Sequence, residues 1–137
     1  MNVYKTKTKK FGATRYAEMA KQARNLLRII RGNTKRQPNI KSAFFRGEKI
    51  FLNFFWNHLS QSPKRERMRR LQFLPCGIDL IKNARVIPTI KANSGKHEML
   101  YRFTGQTADG EIFYVQIKEN QRSKRKYFMS VFPEKNQ

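Results

Sequence analysis

Apolar side chains first recur in a regular way between residues 13 and 31. Tyr16, Met19, Ala20, Ala23, Leu26, Leu27 and Ile30 follow one another at three- and four-residue steps, with Lys21, Arg24, Arg28 and Arg31 mostly between them. That spacing places the apolar set on one side of an α-helix. Thr14 is the expected cap, and Gly32-Asn33 is the expected stop. A polar linker closed by Pro38 follows. A longer helical pattern is then predicted over residues 40–59, built on Phe44, Phe45, Ile50, Phe51, Leu52, Phe54, Phe55, Trp56 and Leu59. Gly47 leaves room for two shorter helices. At helical spacing these rings read as core, although aromatic clusters also stack nucleobases. Ser62-Pro63 reads as an N-cap and first helical position. It opens a strongly basic helix over 64–73 with Lys64, Arg65, Arg67, Arg69 and Arg70. Pro75 breaks or restarts the chain, and a short helix over 76–83 comes next.

From Arg85 the period changes. Residues 86–90 make a short strand that contains Pro88 and therefore belongs at an edge. Asn93-Ser94-Gly95 is a turn. Segments 99–104, 112–119 and 126–132 alternate with period two and are separated by turn-length loops. The predicted fold is α+β, with N-terminal helices followed by a four-stranded antiparallel sheet. The organisation read from this pattern is a flexible basic arm over 1–12, a helical extension over 13–62 and an α+β domain over 63–137.

Charge sets the partner class. Thirty Lys and Arg against nine Asp and Glu give a formal net charge of +21 over 137 residues. That much like charge repels itself in a compact domain. It becomes intelligible if the partner is a polyanion whose counterions are released on binding. RNA is the expected partner, with DNA as the alternative. Cys76 is the sole cysteine, so an intrachain disulfide is excluded and a reducing compartment fits. The first ten residues carry no apolar run of a secretory signal, and no stretch approaches the ~20 apolar residues of a membrane span. The expectation is a cytoplasmic protein with no membrane partner. His58, His97 and one Cys leave almost no room for a Cys/His zinc site, and the acids are scattered rather than gathered for a metal pair. No metal and no cofactor are expected.

Alternation sorts each strand into two faces. The largely polar face gathers Arg102, Thr104, Tyr114, Gln116, Lys118 and Ser130, with His97 just before the first long strand. Metal-free RNA cleavage needs a base for the 2′-hydroxyl, cations for the phosphorane and an acid for the leaving oxygen. His97, Arg102 and Lys118 are candidates for these roles, with Glu98 as a second candidate base. Tyr114, Ser130 and Thr104 are placed to hold the phosphate, and Gln116 lies among them. Outside the sheet, the Lys64–Arg70 helix and the Arg122, Lys124 and Arg125 loop are candidate phosphate contacts. A solvated polar sheet face is the ordinary alternative.

The stretches "RRLQFLPCGIDLIKNARVIP" and "KHEMLYRFTGQTADGEIFYVQIKENQRSKRKYFMSVFP" resemble the barnase–EndoU–colicin–RelE-like nucleases, in the small forms carried by phages and mobile elements. The resemblance covers roughly residues 65–133 and rests on pattern rather than on a specific motif. It implies helices before a four-stranded antiparallel sheet and RNA cleavage without metal, often by toxins. Carried over by position, it implies a catalytic His97, basic phosphate-binding groups at Arg102 and Lys118, and a hydroxyl at Ser130. The sequence departs from the family's stronger enzymes in lacking a second His near His97. The expected function is thus a toxin-like, metal-independent endoribonuclease that leaves a 2′,3′-cyclic phosphate. The competing reading is a non-catalytic RNA- or DNA-binding protein within a larger nucleoprotein assembly. A third possibility makes the aromatic segment 51–56 an interface for a protein partner, such as an antitoxin or a second copy.

Overall fold

The computed structural model describes residues 2–34 and 36–134. Met1, at the start of the expected arm, and 135–137, at the end of the expected C-terminal domain, lie outside the described residues. The elements in chain order are β1 (Val3–Lys5), α1 (Tyr16–Gly32), β2 (Asn39–Ser42), β3 (Glu48–Phe51), α2 (Phe55–Ser60), α3 (Lys64–Gln72), α4 (Leu74–Asn83), β4 (Thr89–Asn93), β5 (Glu98–Gln106), β6 (Ile112–Asn120) and β7 (Lys126–Pro133). A single 3-10 turn, Ser94–Lys96, joins β4 to β5.

The class is α+β, but the expected four-stranded antiparallel sheet is overturned. The sheet has seven strands in the order β1-β5-β6-β7-β3-β2, with β4 on β5, and it is mixed. β1 runs parallel to β5 and β3 parallel to β7, while the other pairs are antiparallel. The expected N-terminal block of helices is overturned with it, because three strands come from the first 51 residues. The expected flexible arm contributes β1, held at both layers. Thr6 N–H donates to the Gln106 carbonyl, and the Tyr4 and Thr6 hydroxyls donate to Asp79 of α4.

The expected helix over 40–59 is also overturned. Ile40 and Ser42 are buried while Lys41 is exposed, and Ile50 is buried beside exposed Lys49, which is strand alternation. Between them Arg46 and Gly47 both take positive φ, a conformation no helix interior admits. The result is a hairpin, and only Phe55–Ser60 is helical.

The core lies between the sheet and the helices. Phe103, Phe113, Val115, Ile117, Phe128 and Val131 form the buried face of β5, β6 and β7. α4 packs there through Gly77, where a Cβ would sit 3.2 Å from Val131 Cγ2. On α1 the predicted stripe is the observed one in Met19, Ala20, Ala23 and Ile30, all buried. The helix starts after Arg15 rather than at a Thr14 cap. α2 and α3 lie alongside β7, where the short β3 stops after Phe51. Phe55 of α2 stacks on Phe128 at 4.8 Å and 4°. This placement lets the two helices reach past the sheet edge onto its other, open face.

Candidate functional site

Register fixes which side chains share the open face. Arg102, Gln116 and Ser130 are partners across β5, β6 and β7, and Thr104, Tyr114 and Phe132 make the next row. Leu100, Lys118 and Tyr127 make the row on the other side. Simple alternation would put Phe128, Ser130 and Phe132 on one face of β7. A β-bulge corrects it: Ile117 pairs Phe128 while Gln116 pairs Ser130, so Met129 is an extra residue. Phe128 turns to the core, while Ser130 and Phe132 join the polar face.

Five of the residues singled out in the sequence therefore come together here: Arg102, Tyr114, Gln116, Lys118 and Ser130. Thr104 lies at the end of the same face, beside β1. The Arg102 guanidinium lies 5.6 Å from the Tyr114 ring and 5.4 Å from the Phe132 ring. From α3, Arg70 covers the Phe132 ring at 5.6 Å and donates from Nη1 to Ser130 Oγ at 3.2 Å. Its Nε is buried without a hydrogen-bond acceptor; the nearest carboxylate, Glu66, is 3.7 Å away. A cleft of about 470 Å³ opens between Glu66, Arg69, Arg70, Arg102, Tyr114 and Phe132. Tyr114 donates to Glu134 at 3.2 Å, and its phenol pKa is raised by burial and then by that carboxylate.

The histidine on this face is His58, from α2, rather than His97. His58 lines a smaller cleft of about 160 Å³ with Phe54, Asn57, Gln61, Lys118 and Met129. Its pKa is lowered from the ordinary value by burial first, then by the positive charges of Arg70 and Lys118. It is thus a neutral imidazole at physiological pH, the form that accepts a proton. The Lys118 ammonium is 3.3 Å from Glu98 Oε2 and 5.6 Å from the Phe54 ring. His97 is exposed in a left-handed conformation after the 3-10 turn, and its carbonyl accepts from Gln121 N–H at 2.8 Å. It lines neither of the two clefts. His58 falls in a six-residue helix full of rings, a context in which the sequence reads as core. The one available hint is that it is one of only two histidines.

The basic helix divides its cations between two tasks. Lys64 and Arg67 cover the Tyr16 ring of α1 at 5.7 and 5.4 Å, so they serve packing. Arg65 is exposed, Arg69 pairs with Glu66 at 3.5 Å and lines the larger cleft, and Arg70 hydrogen-bonds to the sheet at Ser130. The β6–β7 turn leaves Arg122, Lys124 and Arg125 exposed, with the Arg125 guanidinium 5.3 Å from the Phe51 ring. Of the expected partner-facing rings, Phe55 is buried and Trp56 lies under Arg24 at 5.1 Å, while Phe54 is 39% exposed.

Among the described residues no three of His, Cys, Asp or Glu gather as metal ligands, and no helix is long and apolar enough to cross a membrane. Cys76 is buried with its thiol pushed up to about 11 by burial, which removes it from nucleophilic chemistry near neutrality. No protein-family profile, curated protein or solved structure matches this chain.

Proposed function

We propose that the protein is an endoribonuclease that cleaves RNA by 2′-hydroxyl transesterification on the open face of its sheet. The observation that carries the reading is the position of His58, which shares a cleft with Lys118 beside the face that carries Ser130 and Arg102, and whose pKa is lowered by burial, Arg70 and Lys118. Neutral His58 takes the 2′-hydroxyl proton. The 2′-oxygen then forms a bond to phosphorus as the bond from phosphorus to the 5′-oxygen breaks. Arg70 and Arg102 hold the charge that grows on the non-bridging oxygens, and the Ser130 hydroxyl, positioned by Arg70, donates to one of them. The Lys118 ammonium donates the proton that the 5′-oxygen needs. The products are a 2′,3′-cyclic phosphate and a 5′-hydroxyl. This is the reaction expected of the barnase–EndoU–colicin–RelE-like nucleases that residues 65–133 resemble, with His58 in the role that the resemblance gives to His97.

The test is incubation of purified protein with total RNA in EDTA. Wild type should cut, and Lys118→Ala and His58→Ala should lose about 10²- to 10⁴-fold in rate while retaining binding. His97→Ala should cut as wild type does. Intact RNA after long incubation with wild-type protein that binds it would instead favour the non-catalytic binding reading. Activity that survives His58→Ala but not His97→Ala would return the base to His97.

A further inference from the structure

The polar face continues past β7. Phe51, Tyr127 and Lys118 are register partners across β3, β7 and β6, so they lie on the same side as the site. Phe54 packs on Tyr127 at 4.6 Å, and Phe51 lies 6.0 Å from Tyr127. Three rings thus lead away from His58 and Lys118. Beyond them, Asn39 pairs with Phe51 and Lys41 with Lys49 on the β2–β3 hairpin. A cleft of about 560 Å³ opens there, lined by Arg36, Asn39, Lys41, Lys49, Phe51 and Arg125 among others. Among the described residues four cations line it and no acid does.

Two features make this cleft more than a solvated basic surface. Lys41 and Lys49 are directly opposed cross-strand partners, and like charges in that position are destabilising. An anion between them would remove the penalty. The cations also do not stand alone, because aromatic rings run from them back to the proposed reaction centre. A positive groove joined to stacking platforms is the construction that holds single-stranded nucleic acid.

Building on the RNA-cleaving reading above, we propose that the hairpin cleft and its three rings form a track for an unpaired RNA strand. The backbone phosphates lie among Arg36, Lys41, Lys49 and Arg125, and bases stack on Phe51, Tyr127 and Phe54. A duplex cannot use the track, because its bases are already stacked on one another and offer no free ring face. The substrate class is therefore RNA with several unpaired nucleotides on one side of the scissile bond.

Fluorescence anisotropy with a short labelled 2′-O-methyl RNA, which has no free 2′-hydroxyl to react, tests the track apart from catalysis. The same oligonucleotide annealed to its complement is the comparison. The single strand should bind more tightly than the duplex. Phe54→Ala should weaken single-strand binding by about 5- to 150-fold, while Phe54→Trp, which keeps a stacking ring, should restore it. Lys49→Gln combined with Arg125→Gln should lower the slope of log affinity against log salt by about 1.4. Equal binding of duplex and single strand, or a Phe54→Ala variant that binds the single strand like wild type, would overturn the track whether or not the protein cuts. Conversely, absent cleavage of ordinary RNA in EDTA with the single-strand preference intact would overturn the nuclease reading and leave the track standing.

Discussion

Lys126 offers a test of how the hairpin is held against the rest of the sheet. β3 joins β7 through only two register pairs, Ile50 with Lys126 and Phe51 with Tyr127. The Lys126 side chain is 6% exposed, and its ammonium lies 2.9 Å from Glu119 Oε2, against Glu48 Oε2, and 4.8 Å from the Phe45 ring. It therefore ties β3, β6 and β7 together from the core side. Lys126→Met keeps the unbranched stem and removes the charge. Breaking a buried pair costs about 3–5 kcal/mol, because the abandoned charge stays buried. Here Glu119, 12% exposed, retains donors from Gln121 Nε2 at 2.8 Å and the Tyr101 hydroxyl at 3.4 Å, and Glu48 is 55% exposed. Those two facts reduce the expected loss to about 2–3 kcal/mol. With an unfolding entropy of about 2.1 cal/mol/K per residue over the chain, the melting temperature falls by about 7–10 °C. Thermal unfolding followed by circular dichroism at neutral pH measures it. Adding Glu119→Gln removes the stranded charge and should recover most of the loss. The pH dependence has a definite sign. Burial opposes the ammonium, but the bonds to Glu48 and Glu119 outweigh it, so the Lys126 pKa is raised. A raised lysine contributes its full stability below its unfolded value of ~10.4 and loses it as pH rises through the folded value. The gap between wild type and Lys126→Met should therefore hold constant up to pH ~10 and shrink above it. A single variant within about 0.5 kcal/mol of wild type, or a double variant no better than the single, would refute this account of the triad.

Three further outcomes follow from the geometry. Because burial, Arg70 and Lys118 depress the His58 pKa, the acid limb of kcat/KM should lie below the ordinary histidine value of ~6.5, and Arg70→Gln should move it upward. A wild-type limb at or above that value would deny His58 the base role. Gly105→Ala would place a Cβ 2.3 Å from Cζ of the fully buried Phe113 ring, so urea unfolding should report a loss of about 2–3 kcal/mol; a neutral result would mean the ring is free to move. Burial opposes ionisation of Asp79, but bonds from Thr6, Asn83 and Tyr4 outweigh it and lower its pKa, so its contribution is present above ~3.9 and is lost as pH falls through the folded value. Asp79→Ala should free β1 and speed hydrogen exchange at Thr6 N–H, which bonds the Gln106 carbonyl, while unchanged protection there would show that the strand holds itself.

What the sequence disclosed depended on how long each pattern ran. α1, α3, α4 and the three long strands β5, β6 and β7 each extend over eight residues or more, enough for a period to declare itself. β2 and β3 have four residues each and β1 three, and strands that short are defined by partners far away in the chain. The ring-rich stretch 44–56 adds a competing helical spacing that masks the hairpin, although Arg46-Gly47 marks its turn. The site was partly legible for the same reason. Arg102, Tyr114, Gln116 and Lys118 alternate along uninterrupted strands, whereas the Met129 bulge regroups β7, and His58 reaches the face only because α2 takes over the edge where β3 ends. Tertiary placement of a short helix leaves no periodic trace.

On the proposed reading, the distribution of charge separates gripping from chemistry on this face. Two acids beside it are engaged: Glu98 with Lys118, and Glu66 with Arg69 and Arg70. Among the described residues no ion pair engages Arg36, Lys41, Lys49, Arg102 or Arg125. Uncompensated cations attract phosphate from a distance and are sensitive to salt, while a cation held by a carboxylate is fixed in place and contributes less long-range attraction. On the proposed reading, binding energy should then come mainly from the hairpin end, and orientation at the reacting phosphate from the paired centre together with Arg102. Neutralising Lys49 and Arg125 should raise KM for a long unpaired RNA with kcat nearly unchanged, and Lys118→Ala should lower kcat with KM nearly unchanged. If instead both sets of variants shift KM alone, the centre contributes only binding, and the face is a grip without a cutting function.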